Sequence, residues 1–321
     1  MIRHAYLFIF LGEFGYELLN WHAVARRLRN KTRGKKFYVA SRAGMEPFYE
    51  FADAFYDISE IPEYKESVGD SYHALSDKVE SVADKVHRHL TKKYHHLRFC
   101  DNVISSLPRT IRGLRFGYTG GIYSDMRLAN NLFRKIEPVL SCREELETEM
   151  GFSLDEPYVL CQAAKRSVVT RDPYEIPYEP FLAQLALTGA RLVLINFDTG
   201  RHLDSYSNFG LGPVPFVRSV RCQDFRRQSC LIHHAKSCVF FTEGDFRSHM
   251  YVPPIMGKNV HAVASSGVYE VTGAKGLNTA PIDFWNQNVF TFGGQIIPWK
   301  VEEITRDATA FDAWAAAAVA G

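Results

Sequence analysis

The stretch SCVFFTEGDFRSHMYVPPIMGKNVHAVAS, residues 237–265, carries two apolar runs joined by a polar turn and a short mixed segment. Its first run, Cys238 to Phe241, is continuous rather than alternating, which is the pattern of a strand covered on both faces. A glycine-bearing turn follows at Thr242, Glu243, Gly244 and Asp245. Ser248 and His249 then open FRSHMYVPPIMGK, expected as a short broken helix, and NVHAVAS returns as a second buried strand. Strand, turn, helix and strand in close succession form the repeating unit of a parallel sheet whose connections cover its faces.

Working outward, the unit recurs. PYVLCQAA (157–164) and ARLVLINF (190–197) are expected strands, separated by the helix PYEPFLAQLALTG (177–189), which stops at Gly189. QDFRRQSCLIHHAK (223–236) is a further helix. In the first half, the run from Ala5 to Leu11 is a buried strand, and Leu18, Leu19, Trp21, Val24, Ala25 and Leu28 recur at helical spacing. KKFYVASRAG (35–44) is a second strand, and MEPFYEFADAFYDI (45–58) is expected as a helix with an aromatic face. ALSDKVESVADKVHRHL (74–90) has helical periodicity, and residues 127–151 read as one or two helices. The turn FSLDEP (152–157) breaks the periodicity, so the expected organisation is a first domain over 1–152, a second over 153–302 and a terminal helix over 303–321. The fold class is α/β, with two Rossmann-like doubly wound domains.

The 321 residues are 46% hydrophobic and 23% charged, enough for two packed cores. Net charge is +2, without a long basic run, which argues against a nucleic-acid partner. The first 150 residues hold 23 Lys and Arg against 20 Asp and Glu. That mild excess is compatible with an anionic acceptor or with peripheral association at a membrane surface. Six cysteines show neither CxxC nor metal-ligand spacing, and the paired histidines at 95–96 and 233–234 have no ligand partners at suitable spacing, so no metal is expected. No signal segment or membrane-spanning run stands out, and a reduced, cytoplasmic protein, at most at the inner face of a membrane, is the expectation.

Three clusters can carry chemistry. Lys165, Arg166 and Arg171 follow the strand PYVLCQAA, where guanidinium groups and free backbone N–H groups suit a diphosphate; solvated surface cations are the plain alternative. Thr242, Glu243, Gly244, Asp245, Ser248 and His249 suit phosphate, ribose or sugar hydroxyls, against an ordinary N-cap. In LGEFGYEL (11–18), Gly12 and Gly15 allow close backbone approach and Glu13 sits in the turn. Glu17 falls in the first helical turn, where the helix dipole favours a carboxylate in any case.

The strand with its acidic glycine turn, then Ser-His, a short helix and MGKNV, resembles the donor segment of GT-B glycosyltransferases, notably the heptosyltransferase-like and fucosyltransferase-like groups. Heptosyltransferases read roughly Asp-Thr-Gly-x-x-His before an alanine-rich helix; here Gly244 and His249 stand two residues wider apart, and MYVPPIM replaces the alanines. The resemblance implies two domains facing a cleft, with a nucleotide-sugar as co-substrate rather than a tightly bound cofactor. It implies a glycan or lipid-linked acceptor and metal-independent transfer with inversion. Glu13 would then be the base, with Gly12, Gly15 and Glu17 on the acceptor side and the clusters at 165–171 and 242–249 holding the donor. A non-sugar group transferase on the same scaffold, or a protein that only binds a sugar nucleotide or glycan, also fits these residues.

Overall fold

The computed structural model describes residues 5–11, 17–68, 79–105, 134–164, 176, 178–195, 216–220, 225–242, 248–267, 286 and 292–321. The chain divides into two compact units, Met1–Arg134 and Lys135–Gly321.

The first unit is built on four parallel strands, β1 (Ala5–Ile9), β2 (Lys36–Ser41), β3 (Ala54–Asp57) and β4 (Cys100–Ser105), in the order β3-β2-β1-β4. β1 pairs with a strand on each side, and Leu7, Phe8 and Ile9 are fully buried, which accounts for its continuous apolar run. Residues Glu17–Trp21 wind as a π-helical turn before the α-helix His22–Lys31, whose buried face carries Ala23, Val24, Ala25 and Leu28. One core joins Leu7, Ile9 and Leu11 to Tyr56, Ile58, Val86, Leu90 and Leu97.

The segment 45–58 departs from the expected helix. Glu46–Tyr49 makes one 3₁₀ turn, and Ala54–Asp57 pairs along β2, from Tyr38 opposite Ala54 to Ser41 opposite Asp57. The open side of β2 supplies hydrogen-bond partners that a helix would otherwise find internally, and aromatic residues fit a pleated surface well. Asp53 fixes the start of β3 by accepting the Phe37 N–H at 2.8 Å and a Lys36 ammonium hydrogen bond at 2.8 Å.

The second unit holds six parallel strands: β5 (Tyr158–Ala164), β6 (Arg191–Ile195), β7 (Phe216–Val220), β8 (Ser237–Thr242), β9 (Val260–Ala264) and β10 (Ile296–Lys300). Their order is β10-β9-β8-β5-β6-β7, so chain order runs outward from β5 in one direction and outward from β8 in the other. This is the doubly wound Rossmann order. The helices Tyr178–Leu187 and Ala308–Ala320 share a core with β5, β6, β8 and β9. At its centre the fully buried Trp314 meets Phe181 edge-on, with ring centroids 5.3 Å apart.

Residues 135–152, expected with the first domain, belong to this second unit. The Ile136 N–H donates to the Ile255 carbonyl at 3.1 Å and the Val139 N–H to Ser229 Oγ at 3.2 Å. The helix Arg143–Met150 is tied to the helix Phe225–His234 where Arg227 pairs with Glu145 and Glu149. The expected terminal helix spans Ala308–Ala320, and Asp307 caps it by accepting the Ala310 N–H at 2.8 Å. Among the described residues, no helix is long and apolar enough to cross a membrane.

Candidate functional site

In a doubly wound sheet, ligands bind outside the carboxyl ends of the strands where the winding direction reverses. Here that point lies between β5 and β8, which are hydrogen-bonded neighbours up to their last residues: Ala163 stands opposite Phe241 and Ala164 opposite Thr242. β5 leads directly into residues 165–171 and β8 into residues 243–249. The strands that precede the two clusters expected to hold a donor are therefore neighbours at the switch point of the sheet. Lys165, Arg166, Arg171, Glu243, Gly244 and Asp245 themselves lie outside the described residues. Thr242 closes β8, and Ser248 and His249 open the 3₁₀ turn Ser248–Tyr251.

That turn continues into Val252–Ile255, and Met250 through Met256 are all buried. Pro253 and Pro254 fall in the first helical turn, where a missing N–H costs nothing. Gly257 ends the segment at φ +82°; a Cβ there would meet the Phe292 carbonyl oxygen at 2.8 Å. The residues from Met250 to Met256 are thus an anchor packed into the unit.

Two buried amides were not singled out in the sequence. Gln162, near the carboxyl end of β5, accepts a hydrogen bond from Gln228 Nε2 at 3.4 Å. Its own Nε2 has no partner among the described residues. The available signal was a glutamine inside the apolar run YVLCQAA, since a buried amide is costly unless bonded. At the end of β9, Glu302 accepts from the Ser266 N–H and hydroxyl at 2.9 Å each. Burial pushes the Glu302 carboxyl up, but these and the other hydrogen bonds it accepts outweigh that and hold it below the usual value.

In the first unit, Gly12, Glu13 and Gly15 lie outside the described residues, between the end of β1 and Glu17. Glu17 begins the π-turn, as its sequence position suggests, yet its carboxylate is not left at the helix terminus. It is fully buried and accepts from the Ser41 hydroxyl and from the Tyr49 hydroxyl, the latter at 2.7 Å. Arg42 Nε pairs with its other oxygen at 3.2 Å. Burial raises the Glu17 pKa above the carboxylate value, and Arg42, Ser41 and Tyr49 pull it only partly back. His22 Nδ1 donates to the Glu17 carbonyl at 3.1 Å, and burial lowers this imidazole to about 4. Glu17 therefore fastens the end of β2 and the turn at Tyr49 to the start of the π-helical turn. Among the described residues, no three His, Cys, Asp or Glu come together as a metal site.

No protein-family model matches the sequence, and no curated protein does. Solved structures are similar. The chain resembles E. coli ADP-heptose LPS heptosyltransferase II at 12% identity, over 98% of this chain and 98% of that one, with a TM-score of 0.51. The fold is GT-B. Weaker likenesses run to the family 9 glycosyl transferase from Veillonella parvula (10% identity, 97% and 90% covered, TM-score 0.49) and to E. coli heptosyltransferase WaaC with ADP (11% identity, 98% and 99% covered, TM-score 0.42). In this GT-B chain the likeness is one of fold, carried by two parallel Rossmann-like sheets.

Proposed function

We propose that the protein is a glycosyltransferase that moves a sugar from a nucleotide-sugar donor to a hydroxyl of a glycan or lipid-linked acceptor. The observation that supports this reading is the pairing of β5 with β8 to their carboxyl ends, because the cationic and the acidic-hydroxyl segments follow these two strands in the sequence. The GT-B fold shared with a heptosyltransferase named for ADP-heptose supports it.

In this reading, Lys165, Arg166 and Arg171 balance the diphosphate, and the turn from Thr242 to His249 holds phosphate, ribose or sugar. Glu13 takes the acceptor's hydroxyl proton while the acceptor oxygen bonds to the anomeric carbon. The bond from that carbon to the diphosphate breaks on the opposite side, which inverts the centre, and the nucleoside diphosphate leaves with the electron pair. Fixed cations act most strongly where the leaving charge develops, so the transfer requires no metal ion.

The test is thermal unfolding with a panel of UDP, GDP, ADP, CMP and their sugar conjugates, for the parent and for Arg171→Ala. A ligand at 100 times its dissociation constant adds about 2.7 kcal/mol. One nucleoside diphosphate should raise the midpoint, less so in the variant, and its sugar conjugate should be hydrolysed slowly without an acceptor. No shift with any nucleotide overturns the reading; a shift without hydrolysis or transfer assigns a binding protein instead.

A further inference from the structure

Residues 85–99, KVHRHLTKKYHHLRF, contain five Lys or Arg, four His and no Asp or Glu. They form the second part of the helix Val79–Lys93 and the 3₁₀ turn His95–Phe99. The helix turns Ala83, Val86 and Leu90 into the first unit's core. Lys85, Arg88, His89, Lys92 and Lys93 are exposed on its outer side, and Arg98 extends the exposed cations into the turn.

Two features separate this face from an ordinary solvated one. Among the described residues, none of Lys85, Arg88, Lys92, Lys93 and Arg98 pairs with a carboxylate. In the same unit Arg26 pairs with Glu50, Arg29 and Lys36 with Asp53, Arg42 with Glu17 and Lys65 with Glu60. The second feature is Phe99, which is 67% exposed at the end of the cationic run. Its turn is well held. Leu97 is fully buried, His96 Nε2 shares a 2.6 Å hydrogen bond with the Tyr56 hydroxyl, and Tyr94 packs on Tyr56 at 4.7 Å. Leu97 takes the inward place, so Phe99 is presented outward on a fixed turn.

We infer that this face docks on an anionic lipid surface, with the cations against headgroups and Phe99 at the hydrocarbon boundary. Clustered Lys and Arg add their attractions to an anionic leaflet, and an exposed aromatic gains by entering the interface. A single-stranded nucleic acid would instead be served by aromatics spaced along the run. Here Tyr94 is engaged with Tyr56, and Phe99 alone projects at the end.

The experiment is co-sedimentation of the full chain with phosphatidylcholine vesicles, with and without phosphatidylglycerol, and in parallel binding to a DNA duplex and a DNA single strand. The protein should bind only the phosphatidylglycerol vesicles, and less as salt rises. Lys85→Gln, Arg88→Gln and Lys92→Gln together should lower that partitioning roughly tenfold or more. Phe99→Ala should weaken it further without removing the salt dependence. All four side chains are exposed, and unchanged unfolding midpoints identify any loss as a loss of docking. Absence of binding to the anionic vesicles, or binding that ignores both sets of substitutions, overturns the proposal. Stronger binding to DNA than to vesicles, insensitive to Phe99→Ala, assigns the face to nucleic acid and also overturns it. The vesicles contain neither donor nor acceptor, so the result stands apart from the glycosyltransferase reading.

Discussion

The two sheets differ in what stands at their carboxyl ends. In the first unit, the end of β2 and the 3₁₀ turn at Tyr49 are joined to the π-helical turn Glu17–Trp21 by a buried polar network of Glu17, Ser41, Tyr49 and Arg42. In the second, β5 and β8 end in Ala163, Ala164 and Thr242, small residues that lead straight into charged segments. One edge uses its carboxylate inside the protein, where burial makes ionisation costly and hydrogen bonds must compensate. At the other, the sequence sets charged residues directly after the strand ends, where the proposed reading puts a switch-point ligand. Charge near a strand end is therefore not by itself a sign of ligand chemistry; what covers it decides.

The largest expected effect sets the proposed base against the structural acid four residues away. Glu13→Gln should lower turnover by about 10²–10⁴-fold while leaving the nucleotide-induced thermal shift intact. Unchanged turnover would remove Glu13 from the chemistry and leave the glycine turn as a strand-to-helix connection. Glu17→Ala should behave differently, costing about 3 kcal/mol of stability because it strips a buried partner from Arg42. Urea denaturation measures this, and Glu17→Gln, which keeps acceptors for Ser41 and Tyr49, should recover part of the loss.

Acid titration sharpens the contrast. Burial lowers both His22 and His261 to about 4, so each contributes stability that is present above its unfolded value and is lost as pH falls toward 4. A shift of this size is worth about 3 kcal/mol per histidine. Glu17 works in the opposite sense. Its raised pKa gives a contribution that is full below the unfolded carboxylate value and declines as pH rises through the folded one. Between neutral pH and pH 4 the first unit should therefore lose less net protection than the second. Hydrogen exchange at the amides of β1 and β9 would show this, and equal losses would contradict the assignment. The smallest effect is Tyr49→Phe, which removes the 2.7 Å hydrogen bond to Glu17 and should cost about 1 kcal/mol in the same urea assay.

The inner strands were legible and the outer ones were not. β1, β2, β5, β6, β8 and β9 stand out as apolar runs because each has a strand on both sides and cover on both faces. β3, β4, β7 and β10 lie at the outside of their sheets and carry weaker signals. β3 has the aromatic composition that suggested a helix, β4 contains Asp101 and Asn102, and β7 contains Arg218. β10 contains Pro298, which is tolerated on outer strands because its missing N–H leaves no ladder bond broken. At the candidate site the residue types were visible, whereas the buried amide pair Gln162 and Gln228 depended on a helix that approaches β5 from far along the chain.

By itself the sequence determined the α/β class, the inner strands and the presence of segments rich in phosphate-binding residue types, because these follow from local periodicity and composition. Only the tertiary structure decided that β5 and β8 are neighbours, that residues 135–152 belong to the second unit, and that Glu17 is buried beneath Arg42 and Tyr49. Parallel strands pair across long crossover connections, so their order is a non-local choice that no short window of residues encodes. The protonation of a carboxylate is likewise set by what covers it, and that cover comes from residues distant in the chain.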